Sequence, residues 1–214
     1  MKARFFTGVS RSCFRYRNIR PLLMRSVSVG LAFQLAGSQV FAGIISNTYQ
    51  GGNGNWSDGL NWSAQGPPQS FHIADIANSG TITMDTDPAV FGMKLTHASA
   101  ILVWDGTPRT ISVTDDFVWG SGQIGTNVTV NLLNNGSLTS VGDMRQGNFE
   151  INGTFTHGAG AINAVSSTSN HITVGSSGVY DAQLDGSILT SGNDDVLEIR
   201  SGGRLRKSSG TGAT

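Results

Sequence analysis

The sequence predicts an all-β protein built as a parallel β-helix, a solenoid in which each coil stacks on the next. The first observation is a repeated phrase of alternating apolar residues, a glycine turn and a further apolar position. It occurs at residues 130–138, 172–180 and 197–205, with a shorter version at 149–155. Alternation of this kind indicates strands with one buried face. Each unit is too small to bury that face alone, so neighbouring units must stack.

The second observation is the spacing of the glycines at the turns of this phrase, which are Gly136, Gly153, Gly178 and Gly203. The interval from Gly153 to Gly178 equals the interval from Gly178 to Gly203, and the first interval is shorter. A strand-rich unit of roughly 20 to 25 residues suits one coil of a parallel β-helix. An antiparallel β-sandwich is the alternative, because it uses similar strands joined by hairpin turns about every 8 to 12 residues.

The alternation also predicts which side chains form the core. Apolar residues at every second position are expected to point inward, and the polar residues between them outward. The predicted inward residues are Val130, Leu132, Ile172, Val174, Leu197 and Ile199, and the predicted outward residues are Asn131, Thr173 and Glu198.

The third observation is composition. The chain has 214 residues, of which 29 are glycine and only 13% are charged, and this disfavours helix. The formal net charge is zero, but seven basic residues precede residue 26, where no acid occurs. The remainder carries 7 basic and 14 acidic residues, so its net charge is 7 − 14 = −7. This charge argues against nucleic acid or an anionic membrane surface as a partner.

Residues 1–42 are predicted to be a signal peptide. An apolar, uncharged run over 27–42 follows a basic stretch, and Val40 and Ala42 occupy the small-residue positions before a cleavage site. Cleavage is expected after Ala42, and Met24 is an alternative start of the chain. A run of this length is short for a membrane span. The sequence therefore predicts a secreted or cell-surface protein with no membrane span in its mature part.

The only cysteine, Cys13, lies in this removable segment. The mature chain is therefore expected to have no disulfide, no cysteine nucleophile and no thiolate metal site.

Residues 43–127 are predicted to form an N-terminal cap and the first coils. A first strand at 43–50 precedes a loop that contains Trp56 and Trp62, and Pro67-Pro68 interrupts any regular ladder there. Further alternation follows, with Ile73, Ile82 and Met84 as core candidates, and then two strand candidates on either side of Asp105-Gly106. Residues 128–214 are predicted to be β-helical repeats that look truncated, since a bare last coil exposes an edge strand.

The first part of the chain resembles the opening module of bacterial secreted repeat proteins. The order is N-W-S-D-G-L-N-W-S, a proline-containing loop, F-H-I-A-D-I-A-N and T-I-T-M-D. It is similar to the start of autotransporter-like passengers and of large planctomycete or verrucomicrobial surface proteins. The resemblance covers most of residues 43–207 and implies a single-stranded right-handed parallel β-helix, with the loop of Trp56 and Trp62 packed as its N-terminal cap. It implies no enzymatic activity.

The remaining tryptophans suggest a carbohydrate site. Trp104 and Trp119 are candidate sugar-stacking residues, because aromatic faces suit the C–H surfaces of sugar rings. The competing interpretation is that both pack along the solenoid.

Acidic pairs suggest a calcium site. Asp85 with Asp87, Asp115 with Asp116, and Asp194 with Asp195 offer oxygen ligands. Adjacent aspartates on a strand point to opposite faces, however, and one degenerate copy of a calcium-binding repeat builds no site. We therefore predict no cofactor, with calcium as a weak alternative, and regard these residues as turn acids.

Catalytic and metal motifs are weak. His72, His97, His157 and His171 show no metal-ligand spacing. Lys94 and Arg109 are the only basic residues of the first coils, and nothing in the sequence places either beside an acid as a polysaccharide lyase requires. We predict no catalytic residues and no metal.

The sequence thus predicts a non-enzymatic, exported structural or adhesive module, the N-terminal part of a longer repeat protein. Its expected partners are glycans or cell-surface components. The alternative is a β-helix that binds or processes carbohydrate.

Overall fold

The structure is a computed structural model, and it describes residues 43–164, 169–185, 188–190 and 195–210. The predicted signal peptide, residues 1–42, and Asp194 lie outside the described residues.

The described residues form short strands and one 3₁₀ turn, Gly59–Asn61. The strands in chain order are β1 (Ile45–Thr48), β2 (Gly54–Asn55), β3 (His72–Ile76), β4 (Gly80–Met84), β5 (Ala89–Val90), β6 (Gly92–Leu95), β7 (Ala100–Trp104), β8 (Arg109–Val113), β9 (Asp116–Trp119), β10 (Gln123–Ile124), β11 (Val128–Leu132), β12 (Asn135–Leu138), β13 (Gly142–Met144), β14 (Asn148–Ile151), β15 (Thr154–His157), β16 (Ile162–Ala164), β17 (His171–Val174), β18 (Val179–Ala182), β19 (Leu189–Thr190), β20 (Val196–Ile199) and β21 (Arg204–Lys207).

These strands form three parallel sheets that the chain visits in rotation. Sheet 1 has the order β1-β3-β6-β9-β12-β15-β18-β21, sheet 2 the order β2-β4-β7-β10-β13-β16-β19, and sheet 3 the order β5-β8-β11-β14-β17-β20. Every pairing between these strands is parallel, and the single antiparallel contact among the described residues is the isolated bridge between Tyr49 and Trp62. The fold is a parallel β-helix, and the alternative β-sandwich is wrong.

The coils differ in length, although their strands stay in register. The paired positions in sheet 1 are Asn47, Ala74, Met93, Phe117, Gly136, Phe155, Tyr180 and Leu205. The first coil, from Asn47 to Ala74, is the longest. The last two coils, from Phe155 to Tyr180 and from Tyr180 to Leu205, are also long and have the same length. The turns absorb these differences, which leaves the ladder of backbone hydrogen bonds intact.

The core fills the space between the three sheets. Val130, Phe149 and Ile172 occupy one register position of sheet 3, and all three are 0% exposed. The aromatic rings form a chain through the middle coils with centroid separations of 4.7 to 6.0 Å, and its members are Phe117, Trp119, Phe149, Phe155 and Tyr180. Burial of each such side chain stabilises the fold by about 1.5–3 kcal/mol.

The loop before β3 closes the first coil. Trp56 and Trp62 are each 1% exposed and meet edge to face at 4.8 Å, and Tyr49 meets Trp62 at 5.4 Å. Trp62 Nε1–H donates to the Trp56 carbonyl at 2.9 Å. The loop also hydrogen-bonds to the outer edge of β1, since Ser63 N–H donates to the Thr48 carbonyl. The first coil therefore has a covered edge and a filled apolar end.

The inward residues of the phrase mostly lie where the alternation predicted. Val130, Leu132, Ile172 and Val174 are 0% exposed, and Leu197 is partly buried against the core. Ile199 occupies the same inward column but is 39% exposed. Its exposure follows from its place in β20, the terminal strand of sheet 3.

Two details of the predicted core are wrong. In β3 the buried residues are His72, Ala74 and Ile76. Ile73 lies between two of them, on the opposite face of the strand, and is only partly buried. Gly136 is not a turn residue but lies inside β12, opposite Phe117 and Phe155. A Cβ there would crowd Leu132 and Phe155, so this position stays open for the flanking rings.

The part of the chain that the structure describes contains no helix of the length and apolarity needed to cross a bilayer.

Candidate ligand-binding cleft

The outward face of sheet 3 carries two columns of polar side chains. In the first column, Thr129, Asn148 and His171 are paired across successive strands. The second column lies two residues further along each strand and consists of Asn131, Glu150, Thr173 and Glu198. Because strands alternate faces, the buried residues between these columns anchor the same strands in the core. The polar groups are therefore presented from a rigid backbone at the spacing of the coils.

A cleft with a volume of about 360 Å³ lies over these columns. Its lining is Thr129, Asn148, Phe149, Glu150, His171, Thr173, Glu198 and Arg200. A neighbouring hollow of about 330 Å³ shares Asn148 and His171 with it, so the two form one continuous depression, which we call the sheet 3 cleft.

The corner between sheets 2 and 3 shapes one side of the sheet 3 cleft. Asn127 and Gln146 both have positive φ, 52° and 58°, and both line the hollow. Asn127 N–H donates to the Gln146 carbonyl at 2.9 Å, so the two corners stack in successive coils. A left-handed backbone is uncommon for residues other than glycine, and such positions cluster at functional sites. Of the three such residues in the described chain, two lie here.

Arg200 holds the charged end of the cleft together. Its Nη1 lies 3.3 Å from Glu150 Oε1, and its Nε lies 3.6 Å from Glu198 Oε1. The Arg200 side chain is 52% exposed, so these are solvent-screened ion pairs worth little to stability. They orient three charged groups toward the cleft, where they can donate and accept hydrogen bonds.

Comparison with protein-family models, with curated proteins and with solved structures finds no match to this chain.

The two candidate stacking tryptophans do not lie at the sheet 3 cleft. Trp119 is 0% exposed, and its ring packs against Phe117 and Phe149. Its indole Nε1–H donates to the Gly122 carbonyl at 3.3 Å. A sugar cannot reach this ring, because the side chain is an inward residue of sheet 1. Trp104 ends β7 in sheet 2 and is partly buried against the core.

The acidic pairs are held separately by local contacts. Asp85 accepts from Ser57, Asp87 accepts from the Thr110 N–H, and Asp115 accepts from Asn134 Nδ2. Burial, followed by the neighbouring Asp115 charge, raises the pKa of Asp116. Asp195 accepts from Asn170. Among the described residues no cluster of three His, Cys, Asp or Glu side chains could hold a metal ion.

The basic residues of the first coils are not among the lining residues of the sheet 3 cleft, although Arg109 begins β8, the strand of sheet 3 that pairs with β11. Arg109 Nη2 lies 2.6 Å from Asp105 Oδ2. The structure therefore pairs Arg109 with an acid, although the sequence alone indicated no such partner. The hydrogen bond from Arg109, aided by one from the Thr107 N–H, lowers the pKa of Asp105. Lys94 lies on the exposed face of sheet 1.

The histidines occupy unrelated positions. His157 is in the core, His72 is nearly buried in β3, and only His171 lines the sheet 3 cleft. Sequence reasoning predicted the outward direction of Thr173 and Glu198 but missed Asn148 and Arg200. The repeated phrase could have indicated Asn148, because alignment of residues 149–155 with 172–180 places Asn148 one coil from His171.

Proposed function

We propose that this chain is a non-enzymatic, exported structural and adhesive module whose adhesive surface is the sheet 3 cleft. The observation that supports it best is the cleft itself, a polar depression that crosses the strands β11, β14, β17 and β20 of one rigid sheet. Export is inferred from the signal-peptide pattern of residues 1–42.

The chemistry of the cleft favours a hydroxyl-rich polymer such as a glycan. Asn148 and Thr173 offer amide and hydroxyl groups, and Glu150 with Arg200 offers charged acceptors and donors. These are the partners that sugar hydroxyls need. An extended ligand lying across the coils would meet at least one polar side chain in each coil, which suits avidity from several weak contacts.

The charge pattern favours binding over catalysis. A polysaccharide lyase needs a free cation to neutralise the substrate carboxylate, together with a base. Arg200, the cation of the cleft, is already paired with Glu150 and Glu198. Arg109, in the neighbouring strand β8, is paired with Asp105.

The test is a glycan-binding screen of the protein in the form that the cell accumulates. The cleft variants are Asn148→Ala and Thr173→Ala. The matched controls are Ser137→Ala and Thr156→Ala, which remove comparable polar groups from the outward face of sheet 1. We expect selective binding of one glycan class, weakened about tenfold by each cleft variant and unchanged by the controls.

Circular dichroism shows whether each variant keeps its strand content. Folded protein that binds no glycan, or that loses binding equally in the sheet 1 controls, would refute the adhesive role of the cleft.

A further inference from the structure

In the part of the chain that the structure describes, sheet 3 starts one coil later than the other two sheets. Sheets 1 and 2 begin in the first coil with β1 and β2, whereas the first strand of sheet 3 is β5, in the second coil. Between β2 and β3 the first coil runs through residues 56–71, which contain Pro67-Pro68. Proline has no N–H to give to a ladder of backbone hydrogen bonds. Among the described strands, β5 therefore pairs with β8 on one side and with no strand on the other.

A pocket with a volume of about 380 Å³ lies at this unpaired side of β5. One wall comes from the loop of the first coil, and the other comes from the segment that leads into β5. Its ring-bearing and polar lining includes Trp56, Pro67, Pro68, Asp87, Pro88 and Ala89, and we call it the proline pocket. The Trp56 ring is fixed in place by its edge-to-face contact with Trp62 at 4.8 Å. The walls are therefore rigid rings rather than flexible side chains.

The backbone of β5 offers a donor and an acceptor to this pocket. Ser112 N–H donates to the Pro88 carbonyl at 2.9 Å. Thr114 N–H donates to the Val90 carbonyl at 3.0 Å. Because the peptide groups of successive residues in a strand point to opposite sides, the N–H and C=O of Ala89 point away from β8. Ala89 is exposed and lines the proline pocket, so these two groups are available to a bound chain.

The proline pocket also has an acidic side. Asp87 is 61% exposed, and its Oδ1 accepts from the Thr110 N–H at 2.8 Å. Arg109 lies 3.9 Å from Asp87, but its guanidinium is hydrogen-bonded to Asp105. The carboxylates of Asp105, Asp87 and Asp85 all interact with Arg109, so the whole cluster, pairs included, carries 1 − 3 = −2. A cationic group is therefore favoured beside Asp87.

We propose that the proline pocket binds an extended peptide segment of a partner protein, with a basic side chain, which adds to β5 as the first strand of sheet 3. Addition of a peptide to a sheet edge draws affinity from main-chain hydrogen bonds and specificity from side-chain pockets. Here Ala89 supplies the main-chain groups, Asp87 pairs with the basic side chain, and the proline rings pack against its neighbours. The contact is short, about three residues or ~10 Å of peptide, because β5 has only two residues.

The opposing interpretation is that the prolines protect an edge strand from pairing, as prolines at sheet edges commonly do. The two interpretations differ at the Ala89 amide. Amide hydrogen exchange, followed by NMR on the protein in the form that the cell accumulates, measures it. We expect the Ala89 amide to exchange at least about tenfold faster than those of Ser112 and Thr114, and to become protected when peptide is added.

Binding is measured with blocked pentapeptides of alternating threonine and valine that carry a central lysine, alanine or glutamate. The indole resonance of Trp56 is the reporter, since its ring lines the proline pocket and its Nε1 has no hydrogen-bond partner among the described residues. Trp56→Phe assigns that resonance. We expect a Kd below about 1 mM for the lysine peptide and binding at least about fivefold weaker for the glutamate peptide. The fully N-methylated lysine peptide, which has no N–H to donate, should not bind.

Two variants separate the charge from the backbone. Asp87→Asn is expected to reduce the difference between the lysine and glutamate peptides to less than about twofold. Its matched control is Asp116→Asn, which removes an exposed carboxylate from β9 in sheet 1 and should leave that difference unchanged. Ala89→Pro removes the free N–H without removing a hydrogen bond to β8, and should weaken every peptide. Circular dichroism confirms that each variant is folded.

The proposal fails if none of the peptides shifts the Trp56 indole or the Ala89 amide at about 2 mM. Equal binding of the N-methylated and parent peptides would also refute it, because strand addition needs the peptide N–H groups. If the Ala89 amide is already as protected as that of Ser112 without peptide, the place is taken by this chain or by a second copy, and the proposed partner is wrong.

Discussion

His157 is a histidine buried in the core of the solenoid. It follows Trp119 and Leu138 in register and is 0% exposed. Its Nδ1 lies 2.6 Å from the Tyr180 hydroxyl, and its Nε2 lies 3.3 Å from the Gly160 carbonyl. A carbonyl only accepts, so the neutral ring donates from Nε2 and accepts from Tyr180 at Nδ1. Both hydrogen bonds are therefore made by the neutral ring.

This arrangement predicts a stability that falls in mild acid. Burial lowers the pKa of His157 in the folded state below its ordinary value of 6.5. The unfolded chain therefore binds the proton more readily, so stability is complete above about pH 6.5 and decreases as the pH falls below it. The decrease is at most about 1.4 kcal/mol per pH unit. Thermal unfolding between pH 7.5 and pH 5.5 measures it.

The matched variants are His157→Gln and His171→Gln. Glutamine at residue 157 can still accept from Tyr180 but does not titrate, so the slope below pH 6.5 should shrink. His171 is exposed, so its replacement controls for the removal of a surface imidazole. His72 is also nearly buried, and its pKa is lowered by burial, so part of the slope remains in His157→Gln. Equal slopes in the wild type and His157→Gln would contradict the assignment.

At the scale of single elements, the turns between sheets 3 and 1 explain the glycine spacing. This turn has two residues after β11 and β14 but four after β17 and β20. Gly153, Gly178 and Gly203 therefore stack directly before β15, β18 and β21. None of the three has a positive φ, so glycine is needed there for close approach of neighbouring coils rather than for a left-handed backbone.

Gly178→Ala is expected to destabilise the protein by about 1–3 kcal/mol, the usual cost of overpacking. A Cβ at Gly178 would overlap the Ile151 carbonyl oxygen of the preceding coil. At Gly158 the nearest atom to a Cβ is the Leu138 carbonyl oxygen at 3.7 Å, an ordinary contact. Chemical denaturation should therefore show a loss of stability in Gly178→Ala and almost none in Gly158→Ala. The reverse order would be incompatible with the stacked turns.

At the scale of the whole molecule, the fold is a stack in which each coil touches mainly its two neighbours. Stability then depends on how each end is closed. The first coil is closed by Tyr49, Trp56 and Trp62, whereas the last exposes Ile199 and Leu205. This difference is the basis for assigning a capping role to the loop.

Trp62→Ala is expected to cost about 3–5 kcal/mol, because it removes a buried ring from the contacts with Tyr49 and Trp56. Hydrogen exchange should show β1 and β2 losing protection first, since loss of the cap exposes the end of the stack. The control is Trp104→Ala, a partly buried tryptophan of the central coils, for which a smaller loss is expected. Uniform loss of protection along the chain in Trp62→Ala would show that the loop is not a local cap.

The strands and most of the inward residues could be predicted because alternation is a local property. Val130, Leu132, Ile172 and Val174 each follow from their immediate neighbours in the sequence. The repeat in the last two coils was visible because their turns have equal length, so the phrases at 172–180 and 197–205 align residue for residue.

Register between unequal coils could not be predicted in this way. Gly136 was grouped with the turn glycines, because it follows Leu132 at the same distance in the sequence as Gly178 follows Val174. Its turn is shorter than the turns after β17 and β20, which places Gly136 inside β12 instead. The sheet 3 cleft depends on this register, since Thr129, Asn148 and His171 come together only through stacking of three coils.

By itself the sequence determined a strand-rich solenoid with a tryptophan-rich first coil, because alternation, glycine content and loop composition act over a few residues. Only the tertiary structure decided that Trp119 is a core residue, that Arg109 is paired with Asp105, and that Leu205 is about half exposed. The physical reason is that burial and ion pairing depend on which coil lies above and below. Which residues are stacked depends on the lengths of all the preceding turns, and these differ between coils, as the unequal first two coils of sheet 1 show.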